Sequence, residues 1–372
     1  MKLQSLQLYD FRNYKTASVQ FHPGVNLIVG ENAQGKTNLL ESVFYLSTGK
    51  SFRTARNQEL IRFGSEFTDL NCNLFSGGRE QSLRAVLFSG RRPRQLYIGG
   101  VKQRSAAGLS GVLTTVLFCP DDLLILKSGS AGRRKILDTA LCQLRPGYAQ
   151  ALAEYQKLYD SKSRILKDYH DAPSLLEPLP EFNYRMAQVG AVIISYRAKF
   201  LRELSRQAQL YHTEFSGGRE ALSLVYQTVS TVTDPFADKK TIFQQLLDHQ
   251  QAHYRAELDS GQCLSGPHKD DFETLLGERS VKAYGSQGQT RTAAISLKLA
   301  ERELFRADTG EEPVLLLDDV LSELDARRQD FVLNQIRSGQ VLITCCEPER
   351  ITNIGKRIFV EGGQIREESS CT

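Results

Sequence analysis

The chain has 372 residues, 41% hydrophobic and 24% charged, with 47 Lys and Arg against 43 Asp and Glu and a formal charge of +4. Ordinary apolar content and a small net charge exclude a predominantly disordered chain, and no stretch approaches the roughly 18 apolar residues of a membrane span. Seven cysteines without CxxC pairing read as reduced thiols of a cytoplasmic protein, and at roughly 100–200 residues per domain the length predicts two or three structural units.

The opening MKLQSLQLYDFRNYK alternates apolar and polar residues and has no apolar leader core, so it reads as strand rather than signal peptide. Leu3, Leu6 and Leu8, then Val19 and Phe21, then the run Val25–Val29 mark successive strands, with turn residues at Asn13 and His22-Pro23-Gly24. Residues 38–46 have helical spacing. Between about 67 and 118 short strands return (LNCNLF, SLRAVLF, RQLYIGG, TTVLFC). At Pro120 the texture changes. Residues 131–170, 181–215 and 236–258 are helical stretches, and the Pro-rich loop 170–181 makes the first two an antiparallel hairpin. ALSLVYQTVS reads as a strand between the second and third. From Asp271 the pattern is mixed: strands DFETLL and RSVKAY, a helix near 286–307, a buried strand Val314–Leu317, a helix near 325–337 and a strand at 340–344. The expectation is an α/β body made from both chain ends, 1–120 and 260–372, with an inserted antiparallel helical arm at 121–259.

Charge is unevenly spread. Residues 50–135 hold 15 Lys and Arg against 6 Asp and Glu, so they carry +9 and the remainder −5. Arg91-Arg92-Pro93-Arg94 and Arg133-Arg134-Lys135 are the clusters, with Lys50, Arg53, Arg56, Lys102 and Arg104 around them. A surface of this kind attracts phosphate backbones without reading sequence. A solvated basic surface with no partner fits the charge equally well. Phe52, Phe63, Phe88 and Tyr97 fall at strand spacing and read as core.

Gly30-Glu31-Asn32-Ala33-Gln34-Gly35-Lys36-Thr37 fits GxxxxGK[ST], after an apolar strand and before a helix. Glycines let successive N–H groups face an anion, the helix N-terminus adds its positive dipole end, Lys36 reaches the β/γ-phosphates and Thr37 holds Mg²⁺. Val314–Leu317 delivers Asp318 and Asp319 to a sheet edge, where Asp318 binds Mg²⁺ and Asp319 orients or deprotonates the attacking water. Lys36 and Asp318 lie 282 residues apart, far more than a simple nucleotide kinase needs, so an insertion splits the sheet. Ser286-Gln287-Gly288-Gln289 opens a helix 32 residues before Asp318. Alone it reads as an N-cap; in this company it takes the place of the signature loop of ABC-type ATPases, as Ser322-Glu323-Leu324-Asp325 takes that of a D-loop.

Together these motifs resemble the ABC-type heads of SMC and Rad50 proteins, and the whole chain resembles the RecF family. Pro120-Asp121-Asp122, Arg133-Arg134 and Leu137-Asp138, with Ser265-Gly266-Pro267-His268-Lys269-Asp270-Asp271, carry the narrower likeness. The resemblance implies an ABC-type P-loop ATPase head with an inserted helical arm, and an ATP- and Mg²⁺-dependent homodimer with slow, DNA-stimulated hydrolysis. It implies nucleotide contacts from Arg12, Asn13, Gly30, Glu31, Asn32, Ala33, Gln34, Gly35, Lys36, Thr37 and Asn38. Ser286, Gln287, Gly288 and Gln289 would act from the opposite protomer. DNA near single-strand junctions, RecO and RecR would be the partners in helping RecA replace single-strand-binding protein, and the basic 50–135 stretch would meet the DNA.

A surface ion pair remains the alternative for Arg12, and an ordinary loop role for His268. Ser128, Ser130 and Ile136 depart mildly from the RecF pattern. Asp319 replaces the Glu of most ABC ATPases, and Cys345-Cys346-Glu347 offers no switch histidine, which leaves the γ-phosphate sensor unassigned. A transporter ATPase and an SMC/Rad50-type tether are the rivals, disfavoured by the separation of the motifs and by the short arm.

Overall fold

β1 (Lys2–Phe11) runs out and β2 (Tyr14–Gln20) back, antiparallel; Leu3, Leu6 and Leu8 are all buried although Leu3 and Leu6 are three apart, because the register of β1 shifts between Leu3 and Ser5. β3 (Val25–Val29) is buried almost throughout and leads into α1 (Lys36–Thr48). Then come β4 (Phe67–Ser76), β5 (Arg79–Phe88), β6 (Gln95–Ile98), β7 (Val101–Gln103), β8 (Thr115–Phe118) and a short α2 (Pro120–Leu124). The computed structural model describes residues 1–336, 338–346 and 355–367. It divides into two units, Met1–Leu124 with Ala294–Thr372, and Ile125–Ala293.

The second unit opens with α3 (Ser130–Leu144) and α4 (Pro146–Asp168), then α5 (Leu179–Ser216), β9 (Leu222–Gln227), α6 (Lys239–Ser260), β10 (Asp271–Leu276), β11 (Arg279–Ser280) and α7 (Val281–Tyr284). The expected single helix at 131–170 is two, because Pro146 has no N–H to continue α3 but suits the first turn of α4. RSVKAY, expected as a strand, pairs only at Arg279 and Ser280 before turning into α7. β11, β10 and β9 form a three-stranded antiparallel sheet. Tyr148, Tyr155, Met186 and Ile193 make one cluster between α4 and α5.

This unit is fastened by buried ions. Arg197 donates Nε and Nη2 to Asp138 at 2.9 and 3.0 Å, and Nη1 to Asp270 at 2.9 Å and to the Pro267 carbonyl at 2.7 Å. Asp270 also accepts from Thr228 at 2.7 Å and from the Tyr226 hydroxyl. Arg133 grips Asp271 through Nε and Nη2 at 2.6 and 2.7 Å, and Arg134 donates to the Asp270 carbonyl at 2.6 Å. The RR, LD and GPHKDD motifs therefore hold one another, and Arg133, counted as surface charge from sequence, is 2% exposed. Lys162 and Glu257, both buried, meet at 2.6 Å.

α8 (Gln287–Thr309), which belongs to the first unit from Ala294 on, leads to β12 (Val314–Leu317), α9 (Ala326–Gln335), β13 (Val341–Cys345), β14 (Lys356–Glu361) and β15 (Gln364–Glu367). Two six-stranded sheets result. One is antiparallel, in the order β2-β1-β4-β5-β6-β7; the other runs β15-β14-β3-β13-β12-β8, parallel except for β15. Leu39, Leu40, Val43 and Phe44 of α1 share one core with Leu6 and Leu70 of the first sheet and Ile28, Leu316 and Leu342 of the second. From Leu39 to Ser47 the helix is buried all round, polar Glu41, Ser42 and Ser47 included, and each buried leucine contributes roughly 1.5–3 kcal/mol. Buried Gln340 joins the sheets, accepting from Leu3 N at 2.7 Å and donating to the carbonyls of Leu3 and His22. Phe52 packs on this core as expected. Phe63 does not: it is 100% exposed, and Phe88 and Tyr97 are only partly covered, because they lie on the other face of the antiparallel sheet.

Candidate nucleotide site

Residues 30–37 join β3 to α1. A β-carbon on Gly30 would stand 2.3 Å from the Val360 carbonyl oxygen. Gly35 has φ of 122°, and a β-carbon there would meet the Asn13 side chain at 2.8 Å. Both positions therefore demand glycine. With Ala33 also left-handed (φ 64°), the loop wraps towards the start of α1, where a helix offers N–H groups without intrahelical acceptors.

The loop is braced from below. Asn13 Nδ2 donates to the Gln34 carbonyl at 2.8 Å, Tyr14 OH to the Gly35 carbonyl at 2.9 Å, and Gly362 N to Gln34 Oε1 at 2.6 Å. Asn13 Oδ1 accepts from Asn38 Nδ2 at 2.8 Å, and Asn38 Oδ1 from Arg53 Nη1 at 2.7 Å. Lys36, 4% exposed, donates Nζ to the carbonyls of Gly30 and Glu31 at 2.6 and 2.9 Å and reaches Cys346 Sγ at 3.2 Å; Cys346 Sγ in turn contacts Asn32 Oδ1 at 3.1 Å.

The carboxylate strand arrives as the sequence anticipated. Thr37 Oγ1 donates to Asp318 Oδ1 at 2.9 Å across 281 residues. Thr344, which sequence reasoning did not single out, donates its hydroxyl to the same oxygen at 3.0 Å and accepts from Asp319 N at 2.8 Å. Burial pushes the Asp318 carboxyl upward, against the bonds from Thr37 and Thr344. Asp319 has φ of 50°. Ser322 Oγ donates to its carbonyl at 2.6 Å, fixing the turn that follows. A hydroxyl beside a carboxylate is the hard-oxygen donor set that Mg²⁺ takes, so these residues fit a nucleotide with its cation. Glu347 lies outside the described residues.

Other expected residues serve different neighbours. Arg12 (φ 53°) sends Nε and Nη2 to Glu41 at 2.9 and 2.8 Å and Nη1 to the Glu59 carbonyl at 2.7 Å. Glu41 is fully buried and also accepts from Ser51 at 2.5 Å. Of the basic residues, Arg94 is half-buried on the Gly49 carbonyl and the Tyr45 hydroxyl, and Arg53 stands at the rim of α1. Lys50, Arg56, Arg91, Arg92, Lys102 and Arg104 are exposed.

In the second unit Ser286 N donates to Gln289 Oε1 at 2.9 Å, while Gln289 N donates to Ser286 Oγ at 3.2 Å, a reciprocal capping box. Gln289 Nε2 is fixed on Glu220 at 2.7 Å, and Lys127 Nζ donates to the Gly285 carbonyl at 2.6 Å. Ser286 and Gln287 face solvent. His268 accepts at Nδ1 from Tyr155 OH (2.8 Å) and donates from Nε2 to the Cys263 carbonyl (2.9 Å), the pattern of a neutral ring. Burial lowers its pKa to about 4. These contacts give it a structural place in the helical unit.

The family model described as the RecF/RecN/SMC N terminal domain matches residues 2–364. The chain is 35% identical to the DNA replication and repair protein RecF of Acetivibrio thermocellus, covering all of both chains. It is 38% identical to that of Staphylococcus haemolyticus, covering 98% of this chain and all of the relative. Among solved structures, the recombination mediator protein RecF-ATPrS in the RecFOR pathway superimposes with a TM-score of 0.92 at 31% identity, over 99% of this chain and 98% of that one. The fold is that of an ABC-type ATPase head. Among the described residues no helix is long and apolar enough to cross a membrane.

Proposed function

Because the chain belongs to the RecF family of DNA replication and repair proteins, we propose that it is an ATP-driven switch that binds DNA at single-strand gaps and junctions without reading sequence. In this reading it works in the cytoplasm with RecO and RecR to help RecA replace single-strand-binding protein. The observation that carries the reading is the meeting of Thr37 and Asp318 at the mouth of the glycine loop.

ATP with Mg²⁺ supplies the phosphoanhydride whose cleavage resets the switch. Lys36 and the N–H groups at the start of α1 bind its phosphates. Thr37 Oγ1 and the Asp318 carboxylate hold the cation. Asp319, positioned through its N–H by Thr344, orients the attacking water and receives its proton; its side chain is one methylene shorter than Glu, which makes hydrolysis slow. In the capping box Ser286 Oγ accepts from Gln289, so its O–H can donate to the γ-phosphate held by a second protomer, together with the N–H groups of Gln287 and Gly288. ATP thereby joins two heads, and the pair offers Lys50, Arg53, Arg56, Arg91, Arg92, Arg94, Lys102 and Arg104 as the sequence-blind contact with DNA.

Anisotropy of a labelled gapped duplex tests this directly. With Mg²⁺ and ATP the wild type binds more tightly than without nucleotide, and Lys36→Met abolishes the difference. Equal binding in every nucleotide state would refute the switch.

A further inference from the structure

The antiparallel sheet has a solvent face on which the nucleotide site makes no demand. Alternation sends Leu8, Thr68 and Leu87 inward, so their strand neighbours Tyr9, Phe67 and Phe88 project the other way. Tyr9 is in register with Asp69 across β1 and β4, and Phe67 with Phe88 across β4 and β5. Their rings form a ladder across three strands: Tyr9 and Phe67 stack at 5.5 Å and 29°, and Phe67 and Phe88 lie 6.5 Å apart. Tyr9 and Phe67 are 44% and 39% exposed. The Arg92 guanidinium lies 4.3 Å over Phe88, and that of Arg84 5.8 Å from Tyr97. Two open depressions of 630 and 820 Å³ meet along Phe67, Asp69 and Arg84.

The free face of an antiparallel sheet is ordinarily polar, and a contiguous exposed apolar patch marks a binding surface. Its charge points to the occupant. Asp69 is neutralised by Arg84, which grips it through Nε at 3.0 Å. Arg91 and Arg92 in the β5–β6 turn, and Lys102 opposite Tyr97, are exposed at the margin and outnumber Glu66. Aromatic rings on a sheet face flanked by arginines hold unpaired bases, whose faces are available; in a duplex those faces are covered by neighbouring base pairs.

We propose that this face binds single-stranded nucleic acid, stacking bases on Tyr9, Phe67 and Phe88 and meeting phosphates with Arg91, Arg92 and Lys102. The inference deepens the DNA-binding reading by locating the unpaired strand of a gap. It needs neither ATP nor a dimer, so the two can fail separately.

The test uses the full-length, nucleotide-free protein and a labelled oligo(dT) of about 15 nucleotides. The double variant Tyr9→Ser/Phe67→Ser should weaken oligo(dT) binding by roughly 5- to 100-fold and leave blunt-duplex binding unchanged. Tyr9→Phe should retain affinity, and Arg91→Glu/Arg92→Glu, which disturbs no core position, should also weaken it. A 5-iodouracil-substituted oligonucleotide should photo-cross-link to the peptides carrying Tyr9 or Phe67. Unchanged oligo(dT) affinity in the folded double variant, equal loss for duplex, or cross-links confined elsewhere would each overturn the proposal. So would variants that keep oligo(dT) binding and lose only a protein partner. Absence of ATP-driven dimers would leave these outcomes untouched.

Discussion

Replacing Arg197 with Met removes the cation at the centre of the helical unit while keeping most of its apolar volume. Arg197 is 3% exposed and bridges Asp270, which is fully buried, to the partly exposed Asp138. Among the described residues Asp270 then keeps the hydroxyls of Tyr226 and Thr228, and Asp138 that of Tyr148. Leaving one buried charge without its ion partner costs about 3–5 kcal/mol. At about 2–4 °C per kcal/mol for a unit of this size, the midpoint should fall by roughly 6–20 °C. Burial raises the Asp270 carboxyl and Arg197 lowers it, so without Arg197 the folded-state pKa climbs further above the unfolded value. The folded variant then binds a proton that the unfolded chain releases, and its deficit relative to wild type should shrink as pH falls from neutral. Thermal melts by far-UV circular dichroism at neutral and mildly acidic pH measure both effects. Hydrogen exchange in the peptide spanning 262–272 localises them. Adding Asp270→Asn should restore much of the loss. A fall of less than about 2 °C, or a deficit indifferent to Asp270→Asn and to pH, would refute the reasoning.

His268 provides a second linkage test. Its pKa is lowered to about 4 in the folded state against about 6.5 unfolded. The stability it contributes is complete above the unfolded value and is lost as pH falls from 6.5 towards 4, by an amount on the order of 3 kcal/mol. Denaturation of His268→Gln should show a flatter pH dependence across that window. Thr344→Val removes the hydroxyl shared by Asp318 and the Asp319 amide. It should lower kcat for ATP by roughly 5- to 100-fold, the loss of about 1–3 kcal/mol of buried hydrogen bonding, with a smaller change in KM; a change confined to KM would argue against Thr344 positioning the water-activating carboxylate.

Which parts of this architecture the sequence disclosed depends on how local their causes are. The glycine loop was legible because strand, turn and helix start are each set by adjacent residues, and the Val314–Leu317 strand because burial on both faces requires an unbroken apolar run. The hairpin of β14 and β15 went unread although Gly362-Gly363 between two alternating runs is a turn signal; the strands are short and rich in charge. Thr344 escaped because a strand threonine is ordinary until the carboxylate beside it is placed. Arg12 on Glu41 and Arg133 on Asp271 join residues 29 and 138 positions apart, and no local pattern announces such pairs. Alternation in β4 told that Phe67, Asp69 and Asn71 share a face. It does not tell which face another layer covers, so Phe88 and Tyr97 read as core; Phe63 misleads for a different reason, since it lies in a turn ahead of β4 and on no strand.

The central claim is that ATP joins two copies of this chain through Lys36 on one and Ser286 on the other. Multi-angle light scattering with Mg²⁺ and ATP, on wild type, Lys36→Met and Ser286→Arg, tests it most directly. The account predicts a shift from monomer to dimer mass on adding ATP to the wild type, and none in either variant. A mass that ignores ATP in the wild type, or a full shift in Ser286→Arg, would contradict it.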